Sequence, residues 1–475
     1  MKNYYLILPL LIGVIIAGCD SDEPLTSSMK PSDIEEYVQT LNSKYASKED
    51  VNAVVSSIFG TPRSRAEESS REISLVTGKK REPAYYIVNM PEDGGFVLVS
   101  AVKDYTPILA YSTTGNFTAD AYTLPGIADW IIDITNAIDV ASEAPDSILE
   151  QAHIQWNVLA SKMIFEQVKE NNLSRSSDIG DRNNHPELIP IMEDSIASWQ
   201  TKGWEVCYFE DYGFTSPTRE EMIQNMQSAA DWRYIEDAAA LTLIVRKTDF
   251  WSSGSTPNLN GIKWNQTEPW NYSYPLVNDG QHAVAGCVPV AVGQFMYYNK
   301  YPTTFNWNAM RATYATSETQ AFLFLLADRM NANYNKSDTG NNRHTSVSTS
   351  NMINVLKSYS YTISESNRLD QAGFPCIVTS DMKKADGKTS GHAYLLCGSS
   401  STISTESIDC WTFTKKNSLN PCYQLDYNAT STKYYYVNWG WGGYCDGIYI
   451  HPETGLPNKE DFVSNKITKY ITPRH

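Results

Sequence analysis

The sequence has few positively charged residues, no long apolar runs and none of the common metal-binding motifs. Its 475 residues include 38 lysines and arginines against 54 aspartates and glutamates, for a net charge of −16. A chain this acidic repels phosphate backbones, so we predict no nucleic-acid partner. It contains no HExxH motif and no paired CxxC motifs. We therefore predict neither a catalytic metal nor another cofactor.

The N-terminal apolar run is too short for an ordinary transmembrane helix. Lys2 precedes an apolar run at Tyr4–Ile16, which is followed by Ala17, Gly18 and Cys19. A positive start, a short apolar core and small residues before a cysteine are typical of a bacterial lipoprotein signal peptide. We therefore expect export, lipidation of Cys19 and anchoring at the outer membrane or cell surface. The alternative is an ordinary secretory signal in which the cysteine is coincidental.

The rest of the composition is that of a folded protein. Hydrophobic residues make up 41% of the chain and aromatic residues 12%, and the length allows two or three domains. The chain has 8 cysteines, and an exported protein can form disulfides. Cys410 and Cys422 bracket a polar stretch and form the best candidate pair. The alternative is that the six cysteines other than Cys19 and Cys287 are all free.

One cysteine stands at the predicted start of a buried helix. The stretch at residues 280–302 reads GQHAVAGCVPVAVGQFMYYNKYP. The apolar residues after Cys287 recur at helical spacing: Val288, Val292, Phe295 and Met296. The positive end of a helix dipole favours a thiolate, so the sequence predicts a reactive Cys287 with a lowered pKa. The alternative is a buried apolar cysteine without chemistry.

Two later stretches supply the partners that a reactive cysteine needs. GHAYLL at residues 391–396 predicts a strand with His392 at its start. YYYVNWGWGGYCDGIYI at residues 434–450 predicts an aromatic strand interrupted by a glycine-rich turn, with Asn438 and Trp439 at the end of the strand. A Cys, a His and an Asn in this chain order are the arrangement of papain-like peptidases.

Four motifs together resemble the streptopain family of papain-like cysteine peptidases. They are GQHAVAGCV, GHAYLL, VNWGWGGYCDG and the WNQTEPWN of residues 264–271. The resemblance implies an α+β fold, in which a small antiparallel-sheet prodomain precedes a papain-like two-lobed peptidase. The earlier block GGFVLVSAVKDYTPILAYSTTGNF resembles the prodomain of that family, which keeps the enzyme inactive by packing on the active-site face. The alternative for this block is a separate binding module.

The resemblance also implies a role for each site residue. Cys287 is expected to attack the peptide carbonyl, and His392 to act as general acid and base. Asn438 is expected to orient His392, with Trp439 shielding the bond between them. Gln266 and the backbone N–H of Cys287 would stabilise the oxyanion.

The expected organisation has four segments. These are a lipoprotein signal peptide at 1–18, an inhibitory prodomain at 19–145, a helical extension of unknown role at 146–242 and the peptidase domain at 243–475. His282 is expected to hold the nucleophile loop, and Arg246-Lys247 is a candidate activation site. The expected partners are protein or peptide substrates, the chain's own prodomain as inhibitor, and a membrane reached through the lipid. Release of the peptidase domain from that anchor is left open.

Two other functions fit the same residues. A Cys–His acyl transferase, such as a transglutaminase, would use the same nucleophile, although its third residue is more often Asp than Asn. A surface binding protein built on a decayed peptidase would have lost catalytic residues, yet all of the predicted ones are present. The sequence therefore favours the peptidase.

Overall fold

The computed structural model of the chain describes residues 44–60, 64, 69–78, 81–159, 189–201, 204–208, 239–255, 258–277, 280–334, 345–383, 389–414, 419–452 and 466–475. No helix within these ranges has both the length and the apolar character needed to cross a membrane. Cys19 and the predicted signal peptide lie outside the described residues.

The described part of the N-terminal domain combines two helices with four antiparallel strands. Its elements are α1 (Lys48–Phe59), β1 (Glu72–Thr77), β2 (Pro83–Asn89), β3 (Phe96–Ser100), β4 (Ile108–Ser112) and α2 (Ile127–Val140). A capping box starts α1, because the side chains of Ser47 and Asp50 each accept the other's backbone N–H. Both β2 and β3 are buried along their whole length. This burial explains their continuous apolar sequences.

The remaining elements follow in chain order. They are α3 (Asp146–Leu159), α4 (Ile189–Thr201), β5 (Glu205–Tyr208), β6 (Ala239–Ser255), α5 (Cys287–Asn299), α6 (Ser317–Arg329), β7 (Asn333–Tyr334), β8 (Thr345–Ser346), α7 (Thr349–Ser358), β9 (Thr362–Ser366), β10 (Cys376–Lys383), β11 (Thr389–Thr414), β12 (Leu419–Asn438), β13 (Gly447–Ile450) and β14 (Lys466–Arg474). Short 3-10 turns lie between them at Pro91–Asp93, Ala119–Thr123, Ala141–Glu143, Asn258–Gly261, Trp307–Ala309 and Leu369–Gln371.

Strands from the N-terminal and the C-terminal parts of the chain form one large sheet. Its strand order is β1-β2-β3-β4-β13-β12-β11-β10-β14-β9, and β6 pairs with both β11 and β5. The N-terminal domain joins the sheet where β4 pairs with β13, with Tyr111 opposite Ile448 and Ala110 opposite Tyr449. The predicted prodomain and peptidase therefore share a continuous backbone ladder.

The two faces of this sheet are packed by different parts of the chain. On β10, Cys376 and Val378 belong to a core that they share with the N-terminal domain. Ile377, between them, belongs to a second core formed with α5, α6 and α7. This alternation follows from the two-residue period of a strand. The predicted lobes, one helical and one built on a sheet, are confirmed, and the N-terminal domain covers the sheet on the side away from the helices.

The predicted polar insertion between His392 and Asn438 forms a long antiparallel arm. β11 has 26 residues and β12 has 20, and β6 pairs along β11 from Ser255 to Ala239. The predicted domain boundary at 242/243 therefore falls inside one strand, because strand pairing with β11 extends across it. Cys410 and Cys422 lie on neighbouring strands, with Cys410 opposite Tyr423.

The candidate activation site lies in the same arm. Arg246 is opposite Glu205 on one side and Ile408 on the other, and Lys247 is opposite Ser407. A protease would have to open these strand pairs to reach the dipeptide. The structure therefore gives no support to Arg246-Lys247 as the cleavage point.

Candidate active site

Cys287 is the first residue of α5, and the residue before it makes a sharp turn into the helix. Gly286 has a φ of 87°, in the left-handed region that favours glycine. A Cβ at Gly286 would meet Thr345 at 3.1 Å, and the Thr345 hydroxyl donates to the carbonyl of Val284 at 2.6 Å. The loop is thus fixed just before it delivers Cys287 to the helix N-terminus.

The electrostatics of Cys287 differ from the prediction. Burial raises the pKa of its thiol, and the carboxylate of Asp381 adds to the rise. The backbone N–H groups of Ala393, Val288 and Cys287 itself offset part of it. The helix N-terminus therefore does not produce a low thiol pKa in this state of the chain, because the desolvation of the sulfur outweighs its backbone donors.

Gln266 lies beside the nucleophile loop because its carbonyl accepts the N–H of Ala285 at 2.7 Å. Its side chain is only 4% exposed. The Nε2 atom of Gln266 has no hydrogen-bond partner among the residues that the structure describes. Burying an amide without a partner costs about 1–3 kcal/mol, so such groups are rare and call for an explanation. This geometry leaves a donor available next to Cys287.

His392 lies on β11 opposite Ser380 and is buried. Its Nε2 lies 3.1 Å from the carbonyl oxygen of Trp439. A carbonyl oxygen only accepts, so Nε2 carries the proton in this hydrogen bond. The indole of Trp441 is parallel to the imidazole, with ring centroids 5.8 Å apart. The ring is therefore held at its edge and at its face.

The predicted hydrogen bond between Asn438 and His392 is replaced by a different arrangement. The Asn438 Oδ1 accepts from Gln294 Nε2 at 3.1 Å and from the N–H of Gly440 at 3.0 Å. Its Nδ2 donates to the carbonyl of Ile262 at 2.7 Å and to Gln294 Oε1 at 3.1 Å. These contacts occupy both ends of the amide. In this structure the Trp439 carbonyl, and not the Asn438 side chain, is the acceptor for His392.

The indole of Trp439 packs in the sheet core instead of shielding an Asn–His bond. It is 1% exposed and contacts Tyr394 and Tyr449, with ring centroids 4.7 Å and 5.3 Å away. The residue therefore contributes through its backbone carbonyl at His392 and through its side chain to the core.

His282 contacts its own loop. Its Nδ1 lies 2.6 Å from the carbonyl of Tyr274 and donates to it, since a carbonyl oxygen only accepts. The carbonyl of His282 accepts from the Asn271 side chain at 3.4 Å. The residue thus links two parts of the segment that leads to Cys287, as expected for a loop-holding residue.

The N-terminal domain covers the histidine. At the start of α2, an added Cβ on Gly126 would come within 2.2 Å of His392 Cδ2. The Trp441 indole donates to the carbonyl of Pro125 at 3.4 Å. A cavity of about 400 Å³ is lined by Asp129 and Asp133 of α2 and by His392 of the sheet. The path to the imidazole is therefore narrowed by α2.

Sequence analysis missed several of these groups. Gln294 is a lone amide on an apolar helix, and that polarity was the available signal. Trp441 belonged to a recognised motif but had no assigned partner. The role of Gly126 depends on contact with a strand more than two hundred residues away, which no local pattern encodes.

Two family models match separate parts of this chain. Residues 264–449 match the model described as Peptidase C10 family, and residues 37–138 match the model described as Spi protease inhibitor. Streptopain of Streptococcus pyogenes is 23% identical over 247 residues, which cover 40% of this chain and 53% of streptopain. Streptopain of a serotype M18 strain gives the same values. The chain therefore spans about half the length of the curated relatives it matches.

Two solved structures are also similar. A cysteine-to-alanine mutant of a prointerpain A fragment from Prevotella intermedia has a TM-score of 0.40 and 15% identity, covering 85% of this chain and 98% of the fragment. Active interpain A from the same organism has a TM-score of 0.30 and 18% identity, covering 46% of this chain and 93% of that one. With both family models matched in order, residues 264–449 belong to the streptopain family of papain-like cysteine peptidases, Peptidase C10, and residues 37–138 before them are a prodomain of the Spi inhibitor type.

Proposed function

We propose that this chain is the precursor of a cysteine endopeptidase that hydrolyses protein or peptide substrates. The observation that carries the proposal is that both the strand of His392 and the segment of Gln266 contact the stretch that presents Cys287. Cys287 lies at the start of a helix. The backbone N–H of Ala393, the residue after His392 on β11, donates to the Cys287 sulfur. The buried Gln266 Nε2 remains available as a donor.

The acylation step follows from these groups. In the active form Cys287 is a thiolate and His392 an imidazolium, because each charge favours the other. The sulfur forms a bond to the substrate carbonyl carbon, and negative charge moves to the carbonyl oxygen. Gln266 Nε2 and the backbone N–H of Cys287 donate to that oxygen. His392 then gives its proton to the leaving amine as the C–N bond breaks, which leaves a thioester.

Deacylation reverses the roles. The neutral His392 takes a proton from water, and the resulting hydroxide adds to the thioester carbon. The C–S bond breaks, the acid product leaves, and Cys287 returns as a thiolate beside the imidazolium. The same oxyanion donors serve both steps, so their loss slows the whole cycle.

The N-terminal domain is proposed to act as an intramolecular inhibitor. Support comes from the contact between Gly126 and His392 and from the Trp441–Pro125 hydrogen bond. The raised pKa of Cys287 also fits an unreactive precursor, because the thiol form is a poor nucleophile. Removal of the domain would open the path to the imidazole and rehydrate the sulfur.

Export and lipid anchoring through Cys19 are proposed from the N-terminal sequence. The lipid is the only anchor in this proposal, so Cys19→Ser should release the protein from the membrane fraction or block its processing. Fractionation of cells that express either form tests this. A variant that stays membrane-bound and is processed like the wild type would contradict the lipid anchor without affecting the peptidase proposal.

A fluorogenic peptide assay tests the enzyme proposal. Processed protein should cleave an internal peptide bond, and a thiol-directed epoxide should abolish cleavage. An acyl transferase would instead incorporate an amine into a glutamine-containing acceptor. A binding protein without catalysis would show neither reaction. The epoxide would still label its Cys287 if that thiol were accessible. Cleavage that survives the epoxide would refute the assignment of Cys287.

A further inference from the structure

A fully buried glutamine lies on the same helix as the nucleophile. Gln294 is 0% exposed and follows Cys287 by seven residues, roughly two helical turns, on the same side of α5. Its neighbours on the helix are apolar, and burying an amide among them is costly unless its polar atoms are paired. Gln294 therefore calls for a partner, and the structure supplies one.

That partner is Asn438, through a reciprocal amide pair. Gln294 Nε2 donates to Asn438 Oδ1, and Asn438 Nδ2 donates to Gln294 Oε1, each at 3.1 Å. Asn438 is itself only 1% exposed. The pair joins the helical lobe, which carries Cys287, to the end of β12. The carbonyl of Ile262, which accepts from Asn438 Nδ2 at 2.7 Å, fixes which end of the Asn438 amide is nitrogen, and the reciprocal pair then fixes the Gln294 amide.

The orientation of Asn438 then fixes one peptide group of the glycine-rich turn. The N–H of Gly440 donates to Asn438 Oδ1 at 3.0 Å, and the carbonyl of the same peptide unit, that of Trp439, accepts from His392 Nε2 at 3.1 Å. A trans peptide is planar, with its N–H and C=O pointing in opposite directions. An acceptor held at the N–H end therefore aims the oxygen at the imidazole.

The close packing of the turn supports the same conclusion. Gly440 has a φ of 76°, in the left-handed region, and an added Cβ would meet Val290 of α5 at 3.3 Å. The turn thus lies directly on the nucleophile helix. The Gly440 backbone therefore has little room to rotate while the Gln294–Asn438 pair is in place.

We propose that Gln294 is a positioning residue that sets the orientation of His392 through Asn438 and the Trp439–Gly440 peptide. This inference rests on the proposed peptidase function. These contacts form a relay that connects α5, which carries Cys287, to the imidazole of His392. They therefore hold the two lobes in a fixed relative position at the site. Without Gln294, the Asn438 amide keeps only its bonds to Ile262 and Gly440, so it holds the Trp439–Gly440 peptide less firmly and Nε2 faces a less rigid acceptor.

The first experiment compares Gln294→Met with Phe295→Leu in the full-length protein, processed under the conditions used for the wild type. Methionine has a similar volume but cannot form the amide pair. We expect Gln294→Met to lower kcat by about 10²-fold with KM within about twofold, because misplacement of a catalytic group by about 1 Å has an effect of this size. Phe295 is the next residue on α5, is buried and lies outside the relay. Its variant should lower Tm without this loss in kcat.

The second variant, Gln294→Glu, keeps the proposal testable if the methionine variant does not fold. A neutral carboxylic acid can still donate to Asn438 Oδ1, whereas a carboxylate cannot. The activity of Gln294→Glu should therefore be near that of the wild type at low pH and fall as the pH rises through the pKa of the buried acid, on top of the wild-type profile. A pH profile parallel to that of the wild type would overturn the proposal.

The third measurement does not depend on activity. In the full-length Cys287→Ala precursor, nitrogen NMR of the histidine rings should show His392 protonated at Nε2, and Gln294→Met should mix the two tautomers. Only 7 histidines contribute signals. If processed wild-type protein cleaves no peptide but Gln294→Met still shifts the tautomer in the Cys287→Ala precursor, the proposed function fails and the relay stands. An unchanged His392 signal, or a kcat equal to that of Phe295→Leu, overturns the relay.

Discussion

Buried amides serve two opposite purposes in this site. Gln294 and Asn438 satisfy each other and act as fixed supports. Gln266 instead keeps a buried Nε2 without a described partner. A paired amide holds structure, whereas an unpaired donor in a dry site can be used by a transient negative charge. The state of each amide therefore distinguishes a support from a reactant.

The unpaired donor leads to a prediction about rate. Gln266→Ala should lower kcat by about 10²–10³-fold with little change in KM, since oxyanion donors act mainly in the transition state. Steady-state kinetics on the processed protein measure this. Gln320→Ala is the matched control, because that amide donates to the carbonyl of Pro269 at 2.9 Å and has no proposed role at the oxyanion. A similar small effect in both variants would contradict the oxyanion role.

The nucleophile leads to a second prediction. Cys287→Ala should have no detectable peptidase activity and a nearly unchanged Tm, because removing one partly buried sulfur leaves little cavity. The buried Cys397 provides the contrast. Cys397→Ala should keep activity and lower Tm. Residual cleavage above the assay background in Cys287→Ala would mean that another residue is the nucleophile.

At this scale the sequence predicted residue identities better than residue contacts. Cys287 and Gln266 could be found because their motifs are local and specific. The partner of Asn438 could not, since Gln294 is 144 residues away and either Gln294 or His392 satisfies an amide equally well. The pKa direction of Cys287 was predicted wrongly because burial depends on tertiary packing, which the helix N-terminus alone does not reveal.

Among the structural elements, the turn after β12 holds the most contacts relevant to the histidine. Asp446 closes it by accepting the N–H of Trp439 at 2.8 Å. The N–H of Gly442 donates to the carbonyl of Trp264 at 3.0 Å, which ties the turn to the glutamine motif. Positive φ values at Gly440, Gly442 and Gly443 explain why this turn is rich in glycine.

Asp446 makes the stability of this turn depend on pH. Burial raises the pKa of its carboxyl from 3.8 to about 7, opposed in part by the Trp439 N–H and by Lys263. A folded pKa above the unfolded one means that stability is lost as pH rises between these values. Asp446→Asn cannot titrate, so its Tm should rise relative to the wild type from pH 4 to pH 7. Parallel Tm profiles would contradict this.

The start of α2 is where the prodomain meets the histidine. Gly126→Ala would add a Cβ within 2.2 Å of His392 Cδ2, so α2 should undock. The precursor should then be processed faster and label faster at Cys287. Gly115→Ala is the matched control, since its φ of 72° brings the same strain with no atom within 4 Å of the added Cβ. Equal rates in the two variants would argue against this latch.

Elements with a clear local pattern were predicted closely, and those that depend on distant partners were not. The strands β2, β3 and β4 follow their apolar runs, and α5 begins at Cys287 as expected. The stretch 258–270 forms a 3-10 turn and other turns. β6 was missed, because its place depends on pairing with β11, some 150 residues later.

Across the whole molecule, the prodomain and the sheet lobe share one hydrophobic core. Tyr434 and Trp439 of the peptidase belong to the same buried cluster as Trp130 and Ile131 of α2. The Trp130 indole also donates to the carbonyl of Ile450 at 3.0 Å. The latent chain is therefore a single packed unit, although two family models describe it.

This packing predicts a change in thiol reactivity on processing. Cys287 should react with iodoacetamide slowly in the precursor and faster afterwards, because burial raises the pKa of its thiol in the precursor and only the thiolate is the nucleophile. Mass mapping of the labelled peptide measures the rate. Cys376 is 0% exposed and serves as an internal reference that should stay unlabelled. Equal rates before and after processing would contradict the covered site.

Pairing between β4 and β13 also means that β13 is an interior strand only while the prodomain is present. Once β4 departs, the outward N–H and C=O groups of β13 become an open sheet edge. The edge is only the four residues Gly447–Ile450, short enough to limit self-association. The Tyr111 backbone packs closely on Gly447, so that a Cβ added to Gly447 would lie 2.5 Å from the Tyr111 carbonyl oxygen. Loss of the prodomain therefore leaves a strand-shaped opening, which an extended peptide could fill by backbone pairing alone.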